Sequence, residues 1–392
     1  MKRPRLLLVT GAYFPEFSAG GLQSRAVARQ LRGQVEFRVL TTATDPGLPR
    51  RAVVDGVEVT RVRVRTGRRF STLLSTLRMA AELLRLLPQV DVVHIQGYSS
   101  KNIVVASMAR LLGRPVILHL QTSKHDEPAT VRAQGAVAWW AFRSVDKYLS
   151  VSPGLTARYL EAGLPPGRIR DIPNGVDTVR FSPASPDQRR ELRRRLRLPD
   201  DRPIVLFVGV MMPDKQPHVL LDAWLDMRRS TGIASTLVFV GATDPGLYEL
   251  GDRLGAHLRT VAAASGFGAD VHFVSPTAAI EDYFRAADVF AMPSVREGLP
   301  IVLLEAMACG LPVVASCLPG STDTMIESGV SGLLLPPGDP VAWADALATM
   351  LRDPVKAASM GAAARRTVED RYTIEAVAEQ WLAAYHDVLA TR

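Results

Sequence analysis

A strand, a turn and the start of a helix follow one another along residues 289–305, VFAMPSVREGLPIVLLE. The apolar run Val289–Met292 predicts the strand. Pro300 is tolerated in the first turn of a helix, because its missing N–H would have no partner there. The mostly apolar stretch Ala306–Ala315 predicts that this helix is buried. A buried strand that leads into a buried helix is typical of a parallel α/β sheet, which binds its ligands at the carboxyl ends of its strands.

The predicted start of this helix combines amide donors with carboxylates. The amides of Leu299, Ile301 and Val302 would be unpaired in the first turn, and such a turn can hold a phosphate group. Glu297 precedes the helix, and Glu305 lies two turns along it. A carboxylate is a poor phosphate ligand but a good acceptor for sugar hydroxyls. The alternative is that Glu297 caps the helix and Glu305 is a solvated charge; the buried helix argues against a solvated Glu305.

Strand-like apolar runs alternate with helix-period segments along the whole chain, as in successive βαβ units. In the first half we predict strands at Arg5–Thr10, Val35–Thr41, Val57–Val64, Val92–Gln96, Val116–Leu120, Lys147–Val151 and Ile169–Ile172. In the second half we predict strands at Ile204–Gly209, Thr236–Val240, Val271–Val274, Val289–Met292, Val313–Ala315 and Gly332–Leu335. The pattern predicts two doubly wound domains, whose default ligand site is the cleft between them.

The segments that flank the second half predict the domain boundaries. The proline-containing segment Phe181–Arg202 predicts a linker with a short basic helix. The last segment, Thr373–Ala390, predicts one amphipathic helix. Its apolar face consists of Ile374, Val377, Ala378, Trp381, Leu382, Tyr385 and Leu389. We therefore expect domains at 1–180 and 181–372, followed by a terminal helical segment at 373–392.

The composition excludes several classes of protein. The chain has 392 residues, of which 47% are hydrophobic and 22% are charged, so it is neither disordered nor fibrous and is long enough for two domains. Its two cysteines, Cys309 and Cys317, cannot form a disulfide framework. No apolar stretch is long enough for a transmembrane helix. The run Leu6–Thr10 behind the basic N-terminus is too short for a signal sequence. We therefore expect a cytoplasmic protein.

Charge divides the chain into two different halves. Residues 1–180 hold 27 Lys and Arg against 13 Asp and Glu, a balance of +14, whereas residues 181–392 hold 20 against 26, a balance of −6. A basic half attracts phosphate-bearing ligands, anionic lipid or nucleic acid. The arginines of this half lack the contiguous aromatic residues that stack on single-stranded nucleic acid, so we expect no nucleic-acid partner.

A basic, apolar-rich helix is predicted at Phe70–Leu87, and such a helix can lie on an anionic membrane. The arginines before and within it are Arg61, Arg63, Arg65, Arg68, Arg69, Arg78 and Arg85. Trp139 and Trp140 would join it as interfacial anchors. The alternative is a core-facing helix with a solvated basic face. The membrane hypothesis places the protein in peripheral contact with the inner face of the plasma membrane.

The two glutamates and the residues around them resemble a known enzyme family. Glu297 and Glu305, with seven residues between them, occur as in the retaining glycosyltransferases of family 4, which have the GT-B fold. The resemblance extends to Gly20-Gly21, Ile172–Asp177, Ala287–Phe290, Gly320–Thr322 and Gly332–Leu334. It implies two Rossmann-like α/β domains that face each other across a cleft. The second would hold a nucleotide-sugar donor, the first would hold an acceptor, and the terminal helix would cross back onto the first.

The resemblance also implies a role for each residue of the donor site. Glu305 would bind the ribose hydroxyls, and Glu297 would bind hydroxyls of the transferred sugar. The segment at the diphosphate and the sugar consists of Gly298, Leu299, Pro300, Ile301 and Val302. Val274 and Ser275 fall where the family's backbone contacts the base. Gly20 and Gly21 would let the backbone approach the phosphates, although a Gly-Gly pair alone predicts only a turn.

Lys215 and Val210 stand at the positions that neutralise the departing diphosphate in the family. The resembling motif has an arginine directly after Gly209 and a lysine five residues later; here the lysine is present and the arginine position is Val210. A preorganised cation there is worth on the order of 10²–10³ in rate. Either another arginine such as Arg296 supplies the charge, or turnover is slow, or activity is lost.

The family's usual histidine in the first domain is also replaced. The sixth position beyond Pro115 is Gln121, which can bond a sugar but cannot take a proton. His119 lies two residues earlier and would share its strand face, so it either partly replaces the missing ring or is a core histidine. Asp126 and Glu127 follow as candidates for a base or a metal ligand. Because no constellation of metal ligands supports a metal, we expect none, and no cofactor beyond the donor substrate.

The sequence therefore predicts a GT-B glycosyltransferase that moves a sugar from a nucleoside diphosphate sugar, UDP-linked by preference, to a hydroxyl of a glycan or lipid-linked acceptor. The resemblance implies retention of anomeric configuration. The alternative is a catalytically weak or inactive protein that binds nucleotide or glycan and acts through a partner, which Val210 and Gln121 motivate. The presence of Glu297, Lys215 and Glu305 argues against it. An epimerase or a phosphorylase is less favoured, because no dedicated lysine site for pyridoxal phosphate is evident.

Overall fold

The computed structural model describes residues 3–16, 18–64, 69–99, 101–241 and 249–391. The chain forms two compact units, one of residues 1–175 and 374–392 and the other of residues 176–373. Each unit has its own parallel sheet and its own hydrophobic core. The first crossing between the units follows Gly175, five residues before the expected boundary at 180, and the return crossing follows Thr373.

The first unit contains an eight-stranded sheet. Its strands are β1 Arg5–Thr10, β2 Glu36–Ala43, β3 Arg51–Val54, β4 Val57–Arg63, β5 Val92–Gln96, β6 Val116–Leu120, β7 Lys147–Ser150 and β8 Ile169–Asp171. They are ordered β3-β4-β2-β1-β5-β6-β7-β8, and all neighbours are parallel except β3 and β4. The helices that precede the second unit are α1 Ala19–Gln30, α2 Arg69–Leu86, α3 Lys101–Leu111, α4 Pro128–Ala133, α5 Ala136–Arg143 and α6 Pro153–Glu161. The seven predicted strands of this half are present, with ends that differ by at most two residues.

One strand was not predicted from the sequence: β3 forms an antiparallel hairpin with β4 at the edge of the sheet. Asp55 and Gly56 connect the two strands with φ angles of 51° and 79°. An Asp-Gly pair between two β-prone runs is a strong signal for such a two-residue turn, because both positions need positive φ. That signal could have identified β3.

The second unit contains a six-stranded sheet that is parallel throughout. Its strands are β9 Ile204–Val208, β10 Thr236–Val240, β11 Val271–Val274, β12 Val289–Met292, β13 Val313–Ser316 and β14 Leu333–Leu335. Its helices are α7 Pro186–Leu196, α8 Pro217–Thr231, α9 Glu249–Ala264, α10 Ile280–Ala286, α11 Ile301–Ala308, α12 Pro340–Arg352 and α13 Pro354–Arg371. In the order β11-β10-β9-β12-β13-β14, the chain builds the sheet outward from β9 to one side and then from β12 to the other, so the switch point lies between β9 and β12. Ligands of doubly wound sheets bind at such a switch point, outside the carboxyl ends of the strands.

The segment predicted as a linker, Phe181–Arg202, is instead an integral part of the second unit. Its helix α7 begins with a capping box formed by Ser185 and Gln188. Arg193 on this helix is 6% exposed, and its guanidinium pairs with Asp288 just before β12. A buried arginine with a carboxylate partner holds α7 on the sheet. The prolines of this segment therefore flank a packed helix, with Pro186 as its first residue, and do not mark a flexible connection.

The last helix, α14, spans Ile374–Ala390 and belongs to the first unit. It packs against α1 and buries a face that includes Trp381 and Tyr385, as the periodicity of the sequence predicts. Leu382 and Leu389 lie at the edge of that face and are only partly buried. Among the described residues, no helix has both the length and the apolar content needed to cross a membrane.

Candidate active site

Two loops meet at the switch point of the second unit. One follows β9 and carries Asp214 and Lys215; the other follows β12 and carries Val295, Arg296 and Glu297. The Lys215 Nζ lies 2.6 Å from the Glu297 Oε1. The Arg296 guanidinium lies 2.9 Å from the Asp214 carboxylate, and the Val295 amide donates to the Asp214 carbonyl at 2.9 Å. These three connections hold the predicted lysine and the predicted glutamate side by side, although 82 residues separate them in the chain.

The Lys215–Glu297 pair is shielded from water more than a surface pair would be. The Glu297 side chain is 12% exposed and that of Lys215 is 30% exposed. Ion pairs strengthen as the effective dielectric falls, so each partner orients the other here. One cation and one carboxylate thus stand together at the strand ends.

The start of helix α11 presents free amide donors to the same strand ends. Pro300 is the N-cap of this helix, with φ −71° and ψ 115°, so it lies one position before the first turn in which the sequence predicted it. No side chain caps the helix. The amides of Leu303 and Leu304 bond to the Pro300 carbonyl. Within the described part of the chain, the amides of Ile301 and Val302 have no acceptor. Two free N–H groups at the positive end of a helix form a site for an anion.

Glu305 lies on α11 one turn beyond Ile301, with its backbone amide and carbonyl inside the helix. Burial raises the pKa of its carboxyl to about 8, and the nearby Arg180 opposes that shift. Arg180 itself bonds to Glu281 at 2.7 Å. Among the described residues, none forms a hydrogen bond with the Glu305 carboxyl group. A half-buried carboxyl that lacks a hydrogen-bond partner is available to hydroxyl groups of a ligand.

Val210, in the place of the family's arginine, is half-buried and follows Gly209 at the end of β9. Arg296, the expected substitute, is already engaged with Asp214. Lys215 is therefore the cation that the structure places next to Glu297.

The ends of β9, β10 and β11 pack closely at the positions expected to contact a base. A side chain at Gly241 would lie 2.7 Å from the Gly209 carbonyl oxygen, and Gly241 has a φ of 113°. The Gly241 amide donates to the Val274 carbonyl at 2.9 Å. Ser275, the next residue, is exposed. This edge consists of backbone rather than of large side chains, which suits recognition of a base by backbone groups.

In the first unit, the loop after β1 leads into the glycine pair at the start of α1. The helix begins at Ala19, and the Ser18 hydroxyl caps it by accepting from the Gly21 amide at 3.1 Å. A side chain at Gly21 would clash with the Ala12 carbonyl oxygen, and one at Gly20 would lie 2.7 Å from the Gln121 Oε1. Glycine is therefore required at these two positions because the helix start lies close to the Ala12 carbonyl and the Gln121 side chain. Within the described residues, the amides of Ala19 and Gly20 have no acceptor.

Gln121 directly follows β6 and lies beside this helix start, where it has a partner that no local sequence pattern indicated. Its side-chain amide bonds to that of Gln96, the last residue of β5. Gln96 is 8% exposed. Because β5 and β6 are adjacent and parallel, residues at their carboxyl ends meet. The order of the strands is therefore what identifies Gln96 as a neighbour of Gln121.

Asp126 has a different role from the base or metal ligand that we expected. Its carboxylate is 1% exposed and accepts from the backbone amides of Tyr98, Gln121 and Thr122 at 2.8, 2.7 and 2.9 Å. The His125 Nδ1 lies 3.0 Å from it as well. The carboxylate thus joins the loops after β5 and β6 and holds the backbone of Gln121 in place. A group with this many donors has no lone pair directed at a substrate.

Glu127 is also occupied, because its carboxylate accepts from the Lys124 backbone amide at 2.8 Å. Among the residues with described positions, no group of three or more histidine, cysteine, aspartate or glutamate side chains could hold a metal ion.

Of the two alternatives for His119, a partial replacement of the missing ring or a core histidine, its surroundings favour the core histidine. The ring is fully buried, 5.5 Å from the ring of His94 and 5.3 Å from that of Trp381 on α14. Burial lowers the pKa of His119 to about 4, so the ring is neutral at physiological pH. It shares a strand face with Gln121, as expected, but the helix α14 covers that position. His119 is therefore a core histidine.

Comparison with known proteins agrees with these arrangements. Residues 188–367 match the family of glycosyl transferases group 1, and residues 20–175 match the glycosyl transferase 4-like domain. The chain is 32% identical to the D-inositol 3-phosphate glycosyltransferase of Salinispora tropica, over 90% of this chain and 80% of that protein. It is 30% identical to D-inositol 3-phosphate glycosyltransferase 1 of Catenulispora acidiphila, over 95% of this chain and 91% of that protein.

Solved structures show the same fold. HepE of Anabaena, solved with UDP and glucose, superposes with a TM-score of 0.81 at 21% identity and covers 98% of this chain and 100% of its own. Sucrose-phosphate synthase of Thermosynechococcus elongatus superposes with a TM-score of 0.81 at 22% identity, over 100% of both chains. With both of its units matched by family models and with these full-length relatives, the chain belongs to the group 1 glycosyltransferases of family 4 and is a glycosyltransferase of the GT-B fold.

Proposed function

We propose that the protein transfers a sugar from a nucleoside diphosphate sugar to a hydroxyl group of a glycan or lipid-linked acceptor, with retention of anomeric configuration. The observation that carries this proposal is the Lys215–Glu297 pair beside the free amides of Ile301 and Val302. A cation and two helix-end amides suit a diphosphate. A carboxylate next to them suits the hydroxyls of the attached sugar.

The proposed reaction needs little more than charge and orientation from the protein. The acceptor oxygen bonds to the anomeric carbon on the face from which the diphosphate departs, and the acceptor proton passes to the departing phosphate oxygen. Lys215 and the amides of Ile301 and Val302 stabilise the charge that develops on the diphosphate. Glu297 orients the sugar, and Glu305 accepts from the ribose hydroxyls. No additional enzyme base is required, because the leaving group takes the proton.

UDP is the donor nucleotide that we favour. HepE, which shares the fold, was solved with UDP, UDP-glucose, and UDP with glucose. The backbone edge at Val274 and Ser275 would contact the base, and Glu305 would contact the ribose. The relatives named for D-inositol 3-phosphate support a phosphorylated polyol as a further class of acceptor to test.

The test is turnover of radiolabelled UDP-, GDP- and ADP-sugars with a panel of polyol, glycan and lipid-linked acceptors. We expect transfer from one UDP-sugar, with an anomeric configuration in the product that matches the donor by NMR. Glu297→Gln should lower transfer with little loss of UDP affinity, because it keeps the shape and removes the charge. UDP binding without turnover on any acceptor would favour the catalytically inactive alternative, and an inverted product would refute retention.

We also propose that the first unit contacts an anionic membrane through the predicted basic helix and Trp140, although without Arg61. Arg61 is 2% exposed and bonds to the Phe14 carbonyl at 2.7 Å, so it is not a surface charge. Arg65 and Arg68 lie outside the described residues. On the exposed face of α2, Leu77 and Leu84 are 58% and 61% exposed.

The neighbouring helices add apolar surface to that face. Helix α2 packs against α3, and α3 packs against α5. Leu111 on α3 is 84% exposed, and Trp140 on α5 is 53% exposed. Arg78 on α2 and Arg143 on α5 are exposed as well. Apolar residues with interspersed arginines suit the headgroup region of an anionic bilayer.

Vesicle sedimentation tests this contact, with phosphatidylcholine alone against phosphatidylcholine with 30% phosphatidylglycerol. We expect binding to the anionic vesicles only, and a loss of binding in Trp140→Ser. Val179→Ser, at an 84% exposed position of the second unit, is the control. Binding that ignores the anionic lipid, or that survives Trp140→Ser unchanged, would exclude this surface.

A further inference from the structure

Four polar side chains form a continuous hydrogen-bonded chain from helix α14 to the end of β6. The Tyr385 hydroxyl lies 2.9 Å from the His94 Nδ1, and the His94 Nε2 lies 3.2 Å from the side-chain amide of Gln96. The amide of Gln96 in turn bonds to that of Gln121. Tyr385 and His94 are fully buried, and Gln96 is 8% exposed. The chain therefore connects the core of the first unit with the residues beside the start of α1.

The Tyr385 hydroxyl determines which group donates and which accepts at each step of this hydrogen-bonded chain. Its hydroxyl carries one hydrogen and is sealed from water, so the hydrogen needs an acceptor inside the protein. Among the described residues, the only hydrogen-bond partner of this hydroxyl is the His94 Nδ1. Desolvation lowers the pKa of His94 well below its usual range, so the ring is neutral and carries a single proton. With Nδ1 as acceptor, that proton is on Nε2.

The His94 proton then decides the orientation of both glutamines. With the proton on Nε2, the His94 ring would donate to the oxygen of the Gln96 amide, and the NH₂ group of Gln96 would then donate to the oxygen of Gln121. The NH₂ group of Gln121 is left to face Gly20. The structure places both amides with their ends exchanged, an arrangement of nearly the same shape. That arrangement would leave the Tyr385 hydrogen without an acceptor among the described residues.

We infer that Tyr385 is a positioning residue: through His94 and Gln96 it orients the side-chain amide of Gln121 so that the NH₂ group, rather than the oxygen, faces the ligand at the start of α1. This inference rests on the proposed function, together with the ligand that the family resemblance implies at Gly20 and Gly21. The amides of Ala19 and Gly20 add two more donors at the same place. All of these groups donate, so the ligand atom that they recognise is an oxygen that accepts, on the sugar, the phosphate or the acceptor substrate.

The first test measures the His94 tautomer directly, by ¹⁵N NMR of the protein labelled at histidine. We expect a protonated Nε2 and a bare Nδ1 in the unsubstituted protein. A protonated Nδ1 would overturn the inference, and this measurement needs neither a substrate nor a variant. Tyr385→Phe, which keeps the ring and removes the hydroxyl, should shift the His94 signals because Nδ1 loses its donor.

The second test is a double-mutant cycle on kcat/KM between Tyr385→Phe and Gln121→Ala. Tyr385→Phe alone should lower kcat/KM about fivefold, the equivalent of one neutral hydrogen bond. In the Gln121→Ala background it should have no further effect. Tyr159→Phe is the matched control. Tyr159 is buried, and its hydroxyl donates to the Pro165 carbonyl at 3.1 Å rather than to any member of the hydrogen-bonded chain from Tyr385 to Gln121. Its effect should be the same in both backgrounds.

The outcomes separate this inference from the proposed function. Equal effects of Tyr385→Phe in both backgrounds would overturn the positioning role, while measurable transfer would leave the proposed function standing. If the unsubstituted protein transfers no sugar, the proposed function fails. The role of Tyr385 as hydrogen donor is then still decided by the tautomer of His94.

Discussion

Glu305→Gln should make the protein more stable at alkaline pH while weakening its binding of UDP. The carboxyl of Glu305 has no hydrogen-bond partner among the described residues, and burial raises its pKa from 4.5 to about 8. The folded state therefore holds the proton more tightly than the unfolded state does. The stability that depends on this proton is complete below about pH 4.5 and is lost as the pH rises toward about 8. Glutamine never ionises and avoids that loss.

The size of the effect follows from the shift in pKa. One pKa unit corresponds to 1.36 kcal/mol, so a shift from 4.5 to about 8 sets a ceiling of about 5 kcal/mol. Glu305 retains partial exposure to water, and Arg180 favours the ionised form. We therefore expect Glu305→Gln to raise the free energy of unfolding by about 2 kcal/mol at pH 8.5 and by little at pH 5.

The assay is urea unfolding of both proteins at pH 5, 7 and 8.5, followed by tryptophan fluorescence, with UDP titrations at the same pH values. Glu191→Gln is the control, since it removes a charge from a 67% exposed side chain of the second unit. The control should change stability by a similar small amount at every pH. UDP should bind Glu305→Gln more weakly at pH 8.5, because the ribose hydroxyls lose a charged acceptor there, and nearly as well as the unsubstituted protein at pH 5, where the carboxyl is neutral.

Two results would refute this reasoning. If Glu305→Gln lowers stability at pH 8.5, the carboxylate is stabilised by a partner in the folded protein. If the difference between the two proteins does not change with pH, Glu305 titrates alike in the folded and unfolded states. Unchanged UDP affinity at pH 8.5 would remove Glu305 from the ribose site whatever the stability data show.

Three further changes test individual contacts. Gly21→Ala should destabilise the protein by about 2 kcal/mol in urea unfolding, because the added methyl group meets a backbone carbonyl. Gly20→Ala should keep near-normal stability but lower transfer, because the methyl group meets the movable end of Gln121; a stability loss equal to that of Gly21→Ala would contradict this. Asp126→Asn should cost about 2 kcal/mol of stability, since an amide cannot accept all the bonds that the carboxylate accepts. Lys215→Met should lower kcat about 10²-fold with normal folding; an unchanged kcat would exclude Lys215 from charge stabilisation.

The periodicity of the sequence determined the elements of secondary structure. The strands predicted in both halves exist because each is a short apolar run that must be buried on both faces of a parallel sheet. The amphipathic helix α14 was predictable because its apolar residues recur at the helical period. The hairpin strand β3 is harder to predict because its apolar run, Ala52–Val54, is only three residues long, so the Asp-Gly turn is its clearest signal.

The motifs indicated the candidate site residues, while the tertiary structure decided what several of those residues do. His119 and Asp126 look equally suitable as polar residues near a strand end, and both proved to be structural. Their roles depend on burial by α14 and on the amides of a neighbouring loop. No local pattern records either contact.

The site itself depends on contacts between residues that are distant in the chain. Lys215 meets Glu297 across 82 residues, and His94 meets Tyr385 across 291. Local sequence encodes which residues are buried and which turns form, because these follow from side-chain chemistry and spacing. Strand order decides which loop ends come together, and it is set by how all the apolar faces of a unit pack at once. The sequence by itself therefore determined the fold class and which reactive side chains the protein contains. Only the tertiary structure decided which of those side chains lie in contact.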